Sequence, residues 1–110
     1  MLLHELFSAA ADARPDALAV ASARGALSFR ALRKRARQIA HAIRSRGIEQ
    51  HAPVALMLPR SIESVAATLG ILYAGGVYVP IDPAYPAERQ RLIIEELAAP
   101  VVLGARSLAR

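Results

Sequence analysis

The chain has 110 residues, of which 55% are hydrophobic and 21% are charged. This composition excludes a disordered segment and predicts one small packed domain or a piece of a larger one. Cysteine is absent, which excludes a disulfide framework and a Cys-ligated metal and fits a reducing, cytoplasmic environment. The formal net charge is +5. Because the basic residues are almost all arginine and alanine is the commonest residue, a GC-rich coding bias explains this charge as well as an anionic partner does.

The amino-terminal elements are predicted to be a short helix and a hairpin. Residues 2–12 carry apolar side chains at helical spacing, and Pro15 ends the helix because the residue before a proline leaves the helical region. Two extended segments, 18–22 and 26–29, flank Gly25 and are typical of a short hairpin.

A long amphipathic helix is predicted next. Ser28 is placed to N-cap it, and its pattern continues to about Arg46, with Gly47 as the stop. Such a helix packs one face on a core and leaves the other in water. The apolar face carries Leu32, Ala36, Ile39 and Ile43, and the face expected to be solvated carries Arg30, Arg33, Lys34, Arg37 and Arg44.

The second half of the chain alternates between strands and helices. Strands are predicted over 54–58, 77–79 and 101–103, and helices over about 62–74 and about 87–98. Ser61 is placed to cap the first of these helices, and Gly75-Gly76 to end it. The fold class predicted is α/β: a parallel β-α-β-α-β unit preceded by a helix, short strands and a long amphipathic helix, with no second domain.

No membrane or targeting segment is predicted. The amino terminus lacks a basic region, and His4 and Glu5 interrupt its apolar stretch, which is unlike a secretory signal. The uncharged run from Ser64 to Ile81 reaches the lower length limit of a spanning helix. Since Gly75-Gly76 breaks its helical pattern, a buried helix followed by a buried strand explains this run better.

The sequence contains no recognisable catalytic set. A parallel sheet keeps its chemistry in the loops after its strands, and those loops hold neither a glycine-rich phosphate loop nor a nucleophile with its base. His4, His41 and His51 lack metal-ligand spacing, and Lys34 is expected to be solvated. Asp82, at the end of a strand, could bind a substrate or cap the following turn, and capping is favoured. We therefore predict no catalytic, cofactor-binding or metal-ligating residue in this chain.

The arginine-bearing helix face raises nucleic-acid binding as an alternative, because such side chains can neutralise phosphates. Aromatic residues are only 5% of the chain, and no nucleic-acid reader motif is present. A nucleic acid is therefore the less favoured partner. The residues by themselves also fit a non-enzymatic α/β domain that serves as a stub or binds a partner protein.

Several motifs occur in a characteristic order along the chain. The strongest is LYAGGVYVPID at 72–82, continued by PAYPAER at 83–89, and LSFRAL at 27–32 is another. Weaker segments are LHELF at 3–7, RPDALAV at 14–20 and VALMLPRS at 54–61. Together they resemble the beginning of the adenylation domain of nonribosomal peptide synthetases, in the adenylate-forming superfamily of AMP-dependent synthetases and ligases.

This resemblance implies an enzyme that reacts the carboxylate of a selected amino acid with ATP and Mg²⁺. The products are an aminoacyl-adenylate and pyrophosphate, and the aminoacyl group then moves to a phosphopantetheine thiol on a carrier domain. In the family, the phosphate loop, the nucleotide-binding residues, the specificity pocket and the catalytic lysine lie downstream of the region that residues 1–110 resemble. These residues would then be the N-terminal portion of an adenylation domain, an incomplete N-terminal subdomain that is inactive alone.

The partners that the resemblance implies are the remainder of the adenylation domain, carrier and condensation domains and, in some members, an MbtH-like protein. Departures from the family motifs concern helix ends. Ala31 stands where the family's Glu completes a capping box with Ser28, a loss of about 0.5–1 kcal/mol. Tyr73 replaces the usual Lys, so we expect the favourable charge at that helix end to be lost. We also expect the isolated chain to be marginal, with strands such as 54–58 left exposed.

Overall fold

The computed structural model describes residues 2–105. The elements, in chain order, are α1 (Leu3–Ala13), β1 (Leu18–Ser22), β2 (Gly25–Ser28), α2 (Phe29–Arg44), β3 (Pro53–Met57), α3 (Ile62–Tyr73), β4 (Val77–Pro80), α4 (Ala87–Leu97) and β5 (Val101–Gly104). β1 and β2 form an antiparallel pair, and the other strands form a parallel sheet in the order β4-β3-β5. The predicted α/β class and its parallel β-α-β-α-β unit are confirmed.

The helix starts lie where the serine signals placed them. Ser28 Oγ accepts the Ala31 N–H at 3.2 Å at the start of α2, and Ser61 Oγ accepts the Ser64 N–H at 3.1 Å at the start of α3. α2 ends slightly earlier than predicted because its last turn tightens: the Gly47 N–H donates to the Arg44 carbonyl at 2.9 Å, in place of a regular helical bond.

α3 ends in a glycine cap with two backbone hydrogen bonds, after which the chain enters β4. The Gly75 N–H donates to the Leu72 carbonyl at 3.1 Å and the Gly76 N–H to the Ile71 carbonyl at 3.0 Å, the pattern of a Schellman motif. Gly75 takes a left-handed φ of +84°, which a side chain would disfavour. The predicted role of Gly75-Gly76 as a helix stop is confirmed, and β4 then runs to Pro80, which has no N–H to continue the ladder.

The expected loss of positive charge at the end of α3 is wrong. The guanidinium of Arg44, near the end of α2, donates to the Tyr73 carbonyl and so places a cation at the α3 carboxyl terminus. The Tyr73 side chain turns the other way, where its hydroxyl hydrogen-bonds Ser8 Oγ and its ring meets the ring of His4 edge-on, with centroids 5.3 Å apart. Tyr73 therefore joins α3 to α1.

The core lies between β3 and the pair of helices α2 and α3. Val54 and Ala55 of β3 are 0% exposed and Leu56 is 3% exposed, so the expectation that strand 54–58 stays exposed is wrong for these residues, while Met57 and Leu58 are half-buried. β3 is the central strand, with a neighbour along each edge, and that position removes it from solvent. α2 and α3 cross closely at Gly70, where an added Cβ would stand 2.7 Å from Ile39 Cγ2.

α4 lies on the opposite face of the sheet from α3. The strand order β4-β3-β5 means that the β3-to-β4 and β4-to-β5 connections run in opposite directions. Right-handed crossovers then place their helices on opposite faces. The hydrophobic cluster accordingly contains residues of α2, α3, β3 and β5 and none of α4. In residues 2–105, none of the helices combines the length and apolar composition needed to cross a membrane.

Candidate functional site

The carboxyl ends of β3 and β4 open a cleft of about 640 Å³, which we call the carboxyl-end cleft. This is the place where a parallel α/β sheet carries its ligands. One residue beyond β4, the Ile81 N–H donates to the Leu56 carbonyl of β3 at 2.9 Å and so continues the pairing of the two strands to the start of the loop after β4. The polar side chains that line the cleft are Arg60, Ser64, Tyr78, Asp82 and Tyr85.

Asp82 caps the turn that follows β4. Its Oδ1 accepts the Ala84 N–H at 2.9 Å, and its backbone carbonyl accepts the Tyr85 N–H at 3.1 Å. This contact is the Asx-turn geometry that the interpretation as a capping residue requires. A short carboxylate at this position thus has a local structural task at the lip of the cleft.

The outer wall of the cleft is fixed by α4. The side-chain amide of Gln90 donates to the Pro83 carbonyl at 3.1 Å and to the Tyr85 carbonyl at 2.9 Å. The Arg89 guanidinium lies over the Tyr85 ring, 4.2 Å from its centroid, at the distance of a cation–π contact. The 82–86 loop is therefore tied to the helix that follows it.

The side chains that line the cleft do not include a nucleophile paired with a base. Ser64 Oγ donates to the Ser61 carbonyl at 2.8 Å and accepts the Ser61 N–H at 2.9 Å, so this hydroxyl completes a helix cap. Across residues 2–105, no group of His, Cys, Asp or Glu side chains is arranged to hold a metal ion. The described residues therefore bring together no ready-made ligand set for Mg²⁺, and no step of nucleotide chemistry is assigned to the cleft.

The histidines and the lysine considered from the sequence lie apart from the cleft. His4 of α1 packs against Tyr73 of α3. His41, His51 and Lys34 are exposed. The prediction that none of them is a site residue stays a prediction.

The basic face of α2 is largely solvated, as predicted: Arg30, Lys34, Arg37 and Arg44 are exposed and Arg33 is half-buried. Three of its arginines also make contacts within the molecule. Arg33 Nη1 lies 2.6 Å from Asp12 Oδ1 on α1, and the Arg33 side chain is only 17% exposed. Arg30 pairs with Asp16 at 3.2 Å, and Arg44 contacts the end of α3. Of the basic residues assigned to this face, Lys34 and Arg37 are the exposed ones without a contact of this kind in the described part of the chain.

The sequence analysis missed one further ion pair between helices. Arg35 pairs with Glu63 at the first turn of α3, with Nη2 and Oε2 3.1 Å apart. The signal was present: α2 contains no acidic residue, so its arginines could find carboxylates only on other elements. The Arg33–Asp12 and Arg35–Glu63 pairs join α2 to α1 and α3, and part of the positive charge that the nucleic-acid alternative requires is thereby paired with carboxylates.

A family model described as AMP-binding enzyme matches residues 7–109. The chain therefore belongs to the AMP-binding enzyme family, and its fold is that of the adenylate-forming enzymes. Within that family its relatives are peptide synthetases. It is 40% identical over 102 residues to bacitracin synthase 3 of Bacillus licheniformis, and the match covers 93% of this chain and 2% of the relative.

Another relative and a solved structure agree with this assignment. Tyrocidine synthase 1 of Brevibacillus parabrevis is 37% identical over 108 residues, which are 98% of this chain and 10% of the relative. The structure of the nonribosomal peptide synthetase FmoA3 in its AMPPNP-bound form superimposes with a TM-score of 0.91 at 37% identity. That match covers 98% of this chain and 12% of FmoA3. The resemblance to nonribosomal peptide synthetase adenylation domains is confirmed, and this chain spans a small part of each relative.

Proposed function

We infer that residues 1–110 are the N-terminal portion of one adenylation domain, with no second domain, and that they act as its scaffold. The observation that carries this proposal is the superposition on FmoA3, which covers 98% of this chain and 12% of that synthetase at a TM-score of 0.91. A continuous fold match of that kind, over a small fraction of a larger protein, is expected of a piece of the same domain.

The activity proposed for the whole protein is ATP- and Mg²⁺-dependent activation of an amino acid as its aminoacyl-adenylate, followed by loading of a phosphopantetheine carrier. The carboxyl-end cleft offers no metal site and no nucleophile with its base. The groups that stabilise charge during such a reaction would therefore come from the rest of the domain. We assign residues 1–110 no catalytic, cofactor-binding or metal-ligating side chain and expect no activity from them alone.

The partners proposed follow from the same assignment. They are the remainder of the adenylation domain and the carrier and condensation domains of a peptide synthetase in the cytoplasm. An MbtH-like protein is a further candidate partner, and no membrane is proposed.

A chimera tests the proposal. Tyrocidine synthase 1 would carry residues 1–110 in place of the segment that it matches, and amino-acid-dependent exchange of pyrophosphate into ATP would be measured. We expect exchange within about tenfold of the parent, because scaffold residues can be replaced when volume and patterning are retained. The controls are the parent enzyme, a deletion of the replaced segment, and the 110-residue chain alone, the last two of which should show no exchange.

The opposing result is a chimera that is folded and soluble but shows no exchange. That outcome would favour the alternative in which this chain is a non-enzymatic stub or partner-binding domain. Circular dichroism and a thermal melt on the same preparation distinguish it from misfolding.

A further inference from the structure

The amino-terminal helix α1 is as poorly buried as α4. α1 has one buried residue, Ala11, and its Leu3 and Leu6 are 62% and 54% exposed. α4 has no buried residue, and its Leu92 is 47% exposed. Elements with little buried apolar surface open most easily. Burial alone therefore predicts that α1 and α4 both open before the rest of the chain unfolds.

The side-chain contacts of α4 are with residues close to it in the chain. Arg91 pairs with Glu95 of the same helix at 2.9 Å, and the Gln90 amide donates to the Pro83 and Tyr85 carbonyls of the preceding loop. These contacts are kept when the helix and its loop leave the sheet together. They therefore do not oppose a separate opening of α4.

The contacts of α1 are with residues far from it in the chain. Asp12 pairs with Arg33 of α2 at 2.6 Å, and the ring of Phe7 lies 5.7 Å from the ring of Phe29, the first residue of α2. Both contacts break when α1 moves away from α2. A separate opening of α1 therefore costs these interactions as well as its small buried surface.

The three helices α1, α2 and α3 meet at Tyr73, the last residue of α3. Its hydroxyl hydrogen-bonds Ser8 Oγ, and its ring meets the ring of His4 edge-on. Its backbone carbonyl accepts a hydrogen bond from the guanidinium of Arg44, the last residue of α2. One residue of α3 thus contacts α1 through its side chain and α2 through its backbone.

Arg44 completes the cap of α3 from another helix. The carbonyls of residues 70–72 accept the backbone N–H groups of residues 74–76, whereas the carbonyl of Tyr73 accepts the Arg44 guanidinium. α3 has no basic residue in its last turn, so the cation that its carboxyl terminus favours comes from α2. Movement of α2 away from α3 would leave this end of α3 without that cation.

We propose that α1, α2 and α3 open as one cooperative unit, joined by the Tyr73 and Arg44 contacts, while α4 opens separately. We call this set of contacts the three-helix junction. Because each of its contacts belongs to two helices, opening either helix breaks it, and partial opening is penalised. A weakening of the α2–α3 contact at Arg44 is therefore felt in α1, although the Arg44 guanidinium itself bonds α3.

Native-state hydrogen exchange measures which elements open together. In the 110-residue chain, the slowest amides of α1 should exchange within about fivefold of the slowest amides of α2, and those of α4 at least about tenfold faster. A larger gap between α1 and α2 would overturn the proposal. Amides of α4 as slow as those of α1 would also contradict it.

A variant at Arg44 separates a coupled junction from independent contacts. Arg44→Gln removes the cation and should speed exchange of the α1 and α2 amides by the same factor, about fivefold. Arg37→Gln is the matched control, because it makes the same change at an exposed arginine of α2, and it should alter neither set more than about twofold. Faster exchange in α2 with α1 unchanged would contradict the coupling.

A second variant tests the contact between α1 and α3. Tyr73→Phe removes only the hydroxyl that bonds Ser8, and it should speed exchange of the α1 amides about fivefold, more than that of the α2 amides. Tyr78→Phe removes a hydroxyl from an exposed residue of β4 and serves as the control. Unchanged exchange in α1 after Tyr73→Phe would show that this hydroxyl does not join α1 to the unit.

The tyrocidine synthase 1 chimera repeats the test with the rest of an adenylation domain present, so the result does not depend on the stability of the isolated chain. Arg44→Gln in the chimera should again speed exchange in α1 and α2 by a common factor, and different factors would overturn the proposal. A common factor in a chimera without pyrophosphate exchange would sustain the three-helix junction while overturning the proposed activity.

Discussion

The two faces of the parallel sheet are covered very differently. On one face, α2 and α3 bury a continuous cluster with β3 and β5, in which Leu32 is 2% exposed and Ile71 is 0% exposed. On the other face, α4 contains no buried residue, and its Leu92 is 47% exposed. The two crossover helices, α3 and α4, have similar lengths of 12 and 11 residues, so the connections do not cause the difference.

The difference comes from the residues at the contact. α3 offers small residues to its partners: Gly70 lets α2 approach, and Ala66 and Ala67 are both 0% exposed. α4 instead carries charges that pair along its own surface, where Arg91 lies 2.9 Å from Glu95. Since burial of apolar area dominates the free energy of folding, the stability of this chain is concentrated on the α2–α3 face. α4 belongs to the part that opens most easily.

The largest expected effect is the difference between two leucine truncations, one on each face of the sheet. Leu32→Ala removes buried methyl groups from the α2–α3 face and should lower the free energy of unfolding by about 2–5 kcal/mol. Leu92→Ala makes the same chemical change on α4 and should cost less than about 1 kcal/mol. Urea unfolding of the 110-residue chain, followed by circular dichroism, measures both. Equal costs would break the comparison between the faces.

The same titration tests the prediction that the isolated chain is marginal. A parent chain that unfolds sharply at high urea, as a monomer that does not associate, would show that the α2–α3 face suffices for full stability.

The next largest effect is expected at the crossing of α2 and α3. Gly70→Ala places a Cβ 2.7 Å from Ile39 Cγ2 and 3.0 Å from the Ala36 carbonyl oxygen. Overpacking of this kind costs about 1–3 kcal/mol, which outweighs the helix propensity of about 1 kcal/mol that Ala gains over Gly. The free energy of unfolding should therefore fall.

A double-mutant cycle sharpens that test. Ile39→Gly removes both Cγ2 and Cβ, which would stand 2.7 and 2.8 Å from the added Cβ, so the additional cost of Gly70→Ala should be smaller in that background than in the parent chain. A cost that is the same in both backgrounds would mean that the helices do not meet at Gly70 as described.

A smaller effect is expected from the ion pairs. Arg33→Gln breaks a contact to Asp12 in which the arginine is 17% exposed, whereas Arg91→Gln breaks a contact to Glu95 in which the arginine is 58% exposed. The first should cost about 1 kcal/mol and the second less than about 0.5 kcal/mol. Raising the salt concentration to about 1 M should reduce both costs, because exposed charges are screened. If Arg91→Gln lowered the free energy of unfolding more than Arg33→Gln does, the ion pair on α4 would be the stronger one, and the comparison between the two regions would fail.

The smallest effect is expected at Asp82, and it separates capping from substrate binding. Asn keeps the oxygen that accepts the Ala84 N–H, so Asp82→Asn should leave pyrophosphate exchange by the chimera within about twofold of its parent. A carboxylate that binds a substrate through a charged hydrogen bond would lose about 10- to 100-fold in the same assay. Asp82→Ala is the control that removes the cap itself.

Much of this fold could be predicted because its signals are local. Ser28 and Ser61 start helices, the Gly75-Gly76 pair ends one, and each acts through neighbours a few residues away. The assignment to the adenylate-forming family rests on motifs of the same local kind, such as 72–82.

The errors concern contacts between residues far apart in the chain. Arg33 pairs with Asp12, and Arg44 donates to the Tyr73 carbonyl. Both contacts depend on how α2 lies against its neighbours, whereas the periodicity of the sequence shows only which face of a helix is polar. Burial of Val54, Ala55 and Leu56 likewise depends on the strand order that makes β3 central, which is a property of the assembled sheet. The absence of site residues in this chain remains a prediction from the family motifs.

The central claim is that this chain is one piece of a longer adenylation domain. The most direct test is the size of the native polypeptide, measured by immunoblot of its source cells with an antibody raised against residues 1–110. The account predicts a band far above the 11.8 kDa calculated for this chain. A band at 11.8 kDa would contradict it, because the scaffold would then be made as a separate short protein.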